Sequence, residues 1–225
     1  VSTMGTLTGT STAFTDEEIE DLEEQPFVQK TGRYTPALFS VFATIGGGSL
    51  PMKFSTDMFF EAVPDEFLDV DLKKWHYNPD TYDVPIILPR TYLNLYNFGF
   101  ASSQGLPPVS EDIVGAITID LRLTGSTVLL KTGHVVAFSR RLNTILVPQA
   151  FIDDMNSRLA PGKEPQPSRL LIDVANPADE RIAAYLEKKG YDTEAADADA
   201  SRAATGISEV LAISTVRSID RKSTR

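Results

Sequence analysis

The alternating residues 117–124 place the strongest constraint on the fold of this chain. Four aliphatic side chains alternate there with four polar ones: Ile117, Ile119, Leu121 and Leu123 with Thr118, Asp120, Arg122 and Thr124. Successive side chains of a β-strand point to opposite faces of its sheet. The run therefore predicts a strand with one face in the core and the other in solvent.

This strand has predicted neighbours close to it in sequence. The runs TVLLK and HVVAFS follow it, and they are punctuated by Gly125-Ser126 and Thr132-Gly133. Such turn residues between strand-like runs favour hairpins. We expect a three-stranded meander over about residues 115–139. Further along the chain, the apolar run RLLIDVA at residues 169–175 predicts another strand.

The first quarter of the chain also has strand-like composition. Residues 27–45 are rich in Val, Phe, Tyr and Thr, which suits one or two strands. Residues 52–63 predict a strand that pairs back across the glycines at positions 46–48. The long connection from 64 to 82 is polar and contains the single tryptophan, Trp75.

Helices are predicted where capping signals meet an apolar stripe. Thr15 and Glu18 form a capping box for a helix over residues 16–24, with Phe14 and Ile19 as a hydrophobic staple. Three further helices are expected. The first runs from Pro89 to about Phe98 and is ended by Gly99, and the second begins at Pro148 and places Phe151, Ile152, Met155 and Leu159 on one face. The third is capped by Asn176, has Pro177 at its first position and is ended by Gly190.

The order of these elements predicts an α+β fold, because a mainly β meander lies in the middle and helix–strand pairs flank it on both sides.

Composition excludes some functions. The net charge is −10, with seven acids and no base in residues 15–24, so nucleic acid is not an expected partner. Cysteine is absent, which leaves no disulfide, thiol nucleophile or Cys-based zinc site. The chain shows no export signal and no apolar run of about 18 residues.

No reaction centre is predicted. The triplet Lys131-Thr132-Gly133 occurs in penicillin-binding enzymes, but their Ser-x-x-Lys motif is missing, and a hairpin turn explains Thr132-Gly133. The two histidines, His76 and His134, lie on different segments without metal-ligand spacing.

The remaining candidates also have ordinary structural explanations. The acidic helix lacks the spacing of a calcium loop and is expected to be a solvated face. Asp197 and Asp199 are expected at the surface, and residues 46–49 lack the Lys of a phosphate loop. We therefore predict no catalytic, cofactor-binding or metal-binding residue, and the sequence identifies no partner-binding residue.

The order of segments over about residues 13–193 resembles the extracytoplasmic domain of FtsX-like or MacB-like ABC transporter permeases. Four stretches carry the resemblance: the acidic opening at 15–28, Ile86 to Gly99, Val135 to Phe138 with Ala137 in place of the usual glycine, and Ala183 to Tyr191. The resemblance implies a mixed sheet with helices on one side. It also implies a membrane-proximal subdomain of residues 15–63 with 144–193, and an inserted β-rich subdomain at 65–141, after a flexible lead-in at 1–14.

The resemblance further implies a non-enzymatic role on the periplasmic side of the inner membrane. Such a domain couples ATP-driven motion to a periplasmic substrate or partner protein. Its partners would be the membrane helices of its own permease chain, a separate cytoplasmic ATPase subunit, a periplasmic protein and a second permease in a dimer. The segments near Phe14 and Ala200 are then expected at one end of the molecule, with a strand from 27–63 in the same sheet as 169–175.

One segment departs from the family pattern. Residues 200–225 end basic, where the family runs into a membrane helix. This end is open to three interpretations: an altered terminus, an amphipathic segment at a membrane surface, or a sign against the assignment.

Two other functions stay open for the chain: a secreted or surface binding module for protein or carbohydrate, and a hydrolase with Lys131 or His134 at its centre.

Overall fold

The structure, a computed structural model, describes residues 13–47, 50–194 and 209–215, and it contains two β-sheets with helices packed on them. The strands are β1 (Val28–Arg33), β2 (Thr35–Pro36), β3 (Ser40–Gly47), β4 (Leu50–Met58), β5 (Phe60–Ala62), β6 (Asp83–Pro89), β7 (Thr118–Thr124), β8 (Val128–Ser139), β9 (Ile145–Leu146), β10 (Arg169–Val174), β11 (Tyr191–Glu194) and β12 (Glu209–Thr215). The helices are α1 (Asp16–Glu23), α2 (Arg90–Asn94), α3 (Ser102–Gln104), α4 (Glu111–Gly115), α5 (Gln149–Leu159) and α6 (Glu180–Lys189). The predicted α+β class is confirmed.

The smaller sheet has four antiparallel strands in the order β1-β10-β12-β11. The predicted pairing of an early strand with residues 169–175 is present, since Val28 lies opposite Val174 and Arg33 opposite Leu170. Both ends of the described chain lie at one end of this sheet. Thr215 pairs with Tyr191, whose ring is 5.1 Å from that of Phe14. Ala200 lies outside the described residues.

The C-terminal region contributes a strand that the sequence did not predict. Residues 209–215 form β12, which is inserted between β10 and β11. Its side chains alternate between two cores, because Leu211 and Ile213 pack on one face of the sheet while Val210 and Ala212 pack on the other. A strand that is covered on both faces lacks the apolar–polar alternation by which β7 is recognised.

The larger sheet has eight strands in the order β2-β5-β9-β6-β8-β7-β3-β4. The pairs β5–β9 and β6–β8 are parallel and the others are antiparallel. The alternation in β7 is confirmed: Ile119, Leu121 and Leu123 are buried, and the residues between them are exposed. The predicted hairpin across the glycines is also present, because β3 pairs with β4.

The predicted three-stranded meander is wrong in one respect. Residues 128–139 form one continuous strand, so Thr132-Gly133 is not a turn. The glycine has a packing reason instead. A Cβ at position 133 would lie 2.7 Å from the Cδ1 atom of Ile86 and 3.1 Å from that of Leu121. Because Gly133 has no side chain, the backbone of β8 can pass close to these two large side chains of the core.

The sheets group the strands differently from the predicted subdomains. Strands β2 to β5 were expected with the membrane-proximal part, but they lie in the eight-stranded sheet with β6 to β8. Backbone pairing explains the difference, since β3 is hydrogen-bonded to β7 along its length. From the early part of the chain, the four-stranded sheet takes only β1.

Three apolar cores hold these layers together. The first fills one face of the larger sheet, under Phe151, Ile152 and Met155 of α5. The second lies between the smaller sheet and the helices α1 and α6. The third joins the two sheets, and its members are Tyr34, Val63, Phe67, Trp75, Ile87, Leu142, Leu146, Leu171 and Val210. Trp75, expected in a polar connection, is buried in this third core, where its indole N–H donates to Asp65 at 3.1 Å.

Helix ends follow the sequence signals at α1 and differ from them at α6. The capping box of Thr15 and Glu18 is present in both directions. The predicted cap at Asn176 is wrong, because α6 begins at Glu180 and its cap is Asp179, which accepts from the backbone N–H of Arg181. Asn176 accepts instead from the backbone of Ala178 in the preceding turn. Gly190 ends α6 with φ 69° as expected.

Candidate functional site: an exposed aromatic lobe

The predicted chemistry-bearing residues do not come together. Lys131 lies on β8 and donates to the carbonyl of Thr81 at 2.7 Å. His134 lies three residues further along, and its Nε2 atom is 3.1 Å from the carboxylate of Asp83. His76 is exposed on the connection after Trp75. Asp197 and Asp199 lie outside the described residues.

Lys131 is held in an aromatic environment. Its ammonium lies 5.5 Å from the centre of the Tyr77 ring and 5.8 Å from that of Tyr82. Partial burial lowers the pKa of Lys131 below its ordinary value. Burial, together with a hydrogen bond to Asp154, raises the pKa of Tyr77. These contacts join β8 to α5 across the edge of the first core.

The acidic helix α1 is partly tied to its neighbours. The carboxylate of Asp21 accepts from the Tyr185 hydroxyl at 2.6 Å and lies 2.8 Å from the Lys189 ammonium. Both partners lower the pKa of Asp21.

Within residues 13–47, 50–194 and 209–215, no three His, Asp or Glu side chains are grouped closely enough to hold a metal ion. No helix in this same part of the chain is long and apolar enough to cross a membrane.

The feature that stands out is a helical lobe of residues 90–116, inserted between β6 and β7. Helix α2 continues through a π-helical turn, Leu95–Ala101, into α3. The expected helix end at Gly99 is wrong. The helix ends at Gly105, which has φ 66° and so accepts a left-handed conformation that other residues avoid.

The lobe is held together by internal polar contacts and is attached to the domain through Thr91 and buried apolar residues. Leu93 and Ala101 are buried. The side-chain amide of Asn97 exchanges two hydrogen bonds with the backbone of Val109, at 2.9 and 2.8 Å. Arg90 forms an ion pair with Glu111, and Thr91 donates to Asn143 at 3.0 Å. These bonds join the first helix of the lobe to its C-terminal part and to the segment after β8.

The rest of the lobe presents apolar side chains to solvent. Phe98 is 81% exposed, Leu95 67% and Phe100 50%. Tyr92 and Ile113 are also exposed, and the ring of Tyr96 lies 5.9 Å from that of Phe100. Single exposed apolar residues are ordinary, whereas several of them on one short segment are typical of an interaction surface.

The charge pattern strengthens this interpretation. The twenty residues from Thr91 to Ser110 contain no Asp, Glu, Lys, Arg or His, in a chain with 52 acidic and basic residues among 225. An exposed helix usually carries charges on its solvent face. The sequence interpretation missed this site because it searched for chemistry-bearing residues. The signal that could have revealed it is the long stretch without charged residues at 91–110, which contains several Tyr, Leu and Phe residues.

A second, shallower surface lies on the uncovered part of the larger sheet. It is an open cleft of about 450 Å³ between β3, β7 and β8, and its lining includes Phe42, Tyr82, Asp120, Arg122 and Leu130. The register places Phe42 and Leu130 on either side of Arg122. The cleft combines one acid, Asp120, and two bases, Arg122 and Lys131, with apolar and threonine side chains.

Two packed sheets with an exposed aromatic lobe define an α+β domain. Its family is established by sequence comparison. The chain belongs to the family of probable transporter periplasmic core domains, designated PCD-like, whose sequence model matches residues 1–196. The predicted identity as a periplasmic core domain of a transporter is confirmed.

Comparison with solved structures finds similar domains, and comparison with curated sequences finds none. The chain is similar to the crystal structure of the extracellular domain of the noncanonic ABC-type transporter YknZ from Gram-positive bacteria. The match has 14% sequence identity and a TM-score of 0.34, and it covers 91% of this chain and 92% of that one. No curated protein sequence matches this chain.

Proposed function

We propose that this chain is the non-enzymatic extracytoplasmic domain of an ABC transporter permease. It is anchored in the inner membrane by the membrane helices of its own chain and lies on the periplasmic side. It passes motion driven by a separate cytoplasmic ATPase subunit to a periplasmic protein that binds the aromatic lobe. Two permeases form the transporter.

The exposed apolar side chains of the lobe, within the charge-free stretch 91–110, are the observation that carries this proposal. A domain that transmits motion needs a rigid surface on which another molecule can dock. The lobe has this property because Asn97 and Leu93 fix it while Phe98 stays exposed. Membership of the transporter family and the resemblance to FtsX-like and MacB-like permeases support the assignment to an ABC permease.

The position of the first and last described segments supports attachment to a membrane on one side. Phe14 donates its backbone N–H to Pro167 at 2.8 Å, and Thr215 lies opposite Tyr191 in the same sheet. A domain between two membrane helices must leave and return at one membrane face. The four-stranded sheet with α1 and α6 is therefore the proposed membrane-proximal part, and the lobe belongs to the part built on the larger sheet.

A cysteine introduced into the lobe gives a direct test of the location. We would place Ser103→Cys, on the exposed end of the lobe, in a full-length transporter whose cysteines outside these 225 residues have been replaced, and express it in its host. A maleimide that cannot cross membranes is expected to label this cysteine in intact cells. Labelling only after the cells are broken open would contradict the proposal.

The coupling role needs a second measurement. A full-length transporter with Leu95, Phe98 and Phe100 all changed to Ser is expected to reach the membrane at the wild-type level. It should nevertheless reproduce the phenotype of a strain that lacks the gene. A fully functional triple variant would show that the lobe does not transmit motion.

The alternative function is a secreted or surface binding module for protein or carbohydrate. The cleft beside Phe42 and Arg122 is the observation that favours it, because aromatic and charged side chains together suit a polar ligand with apolar faces. Cell fractionation separates the two functions. A permease domain stays in the membrane fraction after an alkaline wash, whereas a secreted module is released.

A further inference from the structure

Strand β4 forms one edge of the eight-stranded sheet, and its outer side pairs with no other strand of the described residues. It has nine residues, whereas β2 at the other edge of the sheet has two. A typical strand has about five or six residues. A long unpaired edge offers its backbone N–H and C=O groups to another strand, and natural proteins seldom leave one open. The edge at β4 is therefore a candidate interaction surface.

The exposed side chains of β4 lie on both faces of the sheet. Ser55 and Asp57 lie on the face away from α5, and both are exposed. Phe54 lies on the other face, opposite Ile45, which packs against the first core. The Phe54 ring is nevertheless 61% exposed. An uncovered aromatic side chain thus lies at the open edge, next to the core.

The sequence of β4 is complementary to itself in charge. Lys53 and Asp57 are placed symmetrically, two residues before and two residues after Ser55. When two copies of β4 pair antiparallel with Ser55 opposite Ser55, each Lys53 lies opposite Asp57 of the partner subunit. Opposite charges that face one another across two strands stabilise the pair, and like charges destabilise it. A two-fold axis repeats every contact, so this register contains two favourable charge pairs.

The same register covers the exposed ring. Phe54 lies opposite Thr56 of the partner subunit, and the two Phe54 residues become diagonal neighbours. Diagonal neighbours on antiparallel strands are about 7–8 Å apart, which is within reach of aromatic side chains. Two rings that are exposed in the separate copies therefore cover one another, beside the first core of each copy.

We propose that two copies of this domain join edge to edge through β4, in the antiparallel register centred on Ser55. Their eight-stranded sheets then form one continuous sheet. This inference rests on the proposed function, because it names the surface by which the two permeases of one transporter meet outside the membrane.

The symmetry of this contact agrees with two domains on one membrane. In the larger sheet, Ile87 and Leu146 face the third core, whereas Ile86 and Ile145 face the first core. The smaller sheet therefore lies on one face of the larger sheet, across the third core. A two-fold axis between antiparallel neighbours runs perpendicular to their sheet, so both copies keep this face on the same side. The two smaller sheets, which are the proposed membrane-proximal parts, then point to the same membrane.

The net charge of the chain determines where this contact should be sought. Each copy has a net charge of −10, so free copies repel one another in solution. Two permeases of one transporter are held close together in the membrane, which gives their domains a high effective concentration. The contact is therefore expected in the assembled transporter and is tested there.

The test is thiol crosslinking in membranes from the host. It uses the full-length transporter, with every cysteine outside these 225 residues replaced. Ser55→Cys places two thiols directly opposite one another, with Cβ atoms about 5 Å apart, and a mild oxidant or a short thiol crosslinker can join them. The matched control is Ser40→Cys, which is exposed on β3, one strand further from the edge. Dimers are measured on gels without reductant.

Ser55→Cys is expected to give at least about fivefold more crosslinked dimer than Ser40→Cys. Adding Lys53→Glu or Asp57→Lys to Ser55→Cys places like charges opposite one another and should lower the dimer yield about fivefold or more. Both charge changes in one chain restore opposite charges with their positions exchanged, and most of the yield should return. A general defect in folding or insertion caused by one substitution would not be repaired by the other.

Four outcomes would overturn the inference. They are equal yields at positions 55 and 40, a yield that neither charge change lowers, a double variant that does no better than the single ones, and a Ser55→Cys product with a protein of different mass. The last would assign the edge to another partner. The proposed function stands in each case if the triple lobe variant still inactivates the transporter, because that function needs two permeases but no contact through β4. The two failures are therefore distinguishable.

Discussion

Arg169 in the four-stranded sheet donates a hydrogen bond to the carboxylate of Glu61 in the eight-stranded sheet, and both side chains are largely buried. The guanidinium also lies 4.2 Å from the centre of the Tyr34 ring. The same Glu61 oxygen accepts from the Thr144 hydroxyl at 2.6 Å. This pair therefore joins the two sheets beside their shared apolar core.

Removing Arg169 should destabilise the whole domain. Arg169→Met leaves the Glu61 carboxylate buried without its cation and is expected to cost about 3 kcal/mol of unfolding free energy, measured by urea denaturation. The matched control is Arg158→Met, because the Arg158–Asp154 pair is more exposed and should cost about 0.5 kcal/mol or less. Adding Glu61→Gln to Arg169→Met should recover part of the loss. Equal effects at positions 169 and 158 would contradict this role.

Two glycine substitutions should have opposite effects. A Cβ at position 125 would lie 2.2 Å from the carbonyl oxygen of Leu159, so Gly125→Ala must displace the backbone and should cost about 2 kcal/mol or more. Position 99 has open space, so Gly99→Ala should leave stability unchanged or raise it by about 1 kcal/mol. Urea unfolding of both variants checks the pair. A loss of stability in Gly99→Ala would show that Gly99 has a structural role.

The two faces of β7 should differ sharply in tolerance. Ile119 is 3% exposed, and Ile119→Asp places an unpaired charge in the first core, at an expected cost of several kcal/mol. Arg122 is exposed on the opposite face, so Arg122→Ala should change stability by about 0.5 kcal/mol or less. Thermal unfolding distinguishes the two. Similar small effects would mean that the face of β7 under α5 is not a packed core.

The exposed ring of Phe98 should not contribute to folding. Phe98→Ser is expected to change the unfolding free energy by about 0.5 kcal/mol or less, because its side chain is mostly in solvent. Leu93 lies on the same helical segment and is buried, so Leu93→Ser should cost about 3 kcal/mol. Circular dichroism during urea unfolding tests both. A large loss in Phe98→Ser would indicate that the ring packs against the domain and is not a free docking surface.

Acid should remove the contribution of Asp179 to helix α6. Hydrogen bonds from the Arg181 side chain and backbone lower the pKa of Asp179 from 3.8 to about 2. Since the folded state favours the ionised form, the contribution is present above pH 3.8 and is lost as pH falls towards 2. The difference in unfolding midpoint between wild type and Asp179→Asn should therefore shrink between pH 5 and pH 2. A constant difference over this range would exclude the carboxylate as its cause.

Local signals predicted local structure well. The capping box at Thr15, the alternation in β7 and the apolar stripe of α5 all appear as expected, because each depends on residues close together in sequence. The failures occurred where a distant part of the chain decides the outcome. Gly133 was taken for a turn, but it is needed beside Ile86, which belongs to another strand.

The site was harder to predict than the fold. The sequence interpretation looked for nucleophiles, bases and metal ligands, whereas the lobe is defined by exposed apolar side chains around Phe98. Sequence alone does not distinguish a buried phenylalanine from an exposed one, since either is compatible with a helical pattern. Exposure depends on the tertiary structure, which leaves the residues around Phe98 outside the first core, whereas Leu93, Val109 and Val114 of the same lobe pack in it or against it.

The position of β12 between β10 and β11 sets the order in which the two sheets are completed during synthesis. All strands of the eight-stranded sheet lie between Thr35 and Leu146, so that sheet can form early on the ribosome. The four-stranded sheet must wait until residues 209–215 have emerged, because β11 has no strand neighbour except β12 within the described residues. Until then one edge of β10 is unpaired and its apolar side chains lack cover, which exposes the nascent chain to strand-mediated aggregation. A nascent chain stalled before residue 209 would therefore be a target for chaperones even though most of the domain had already folded.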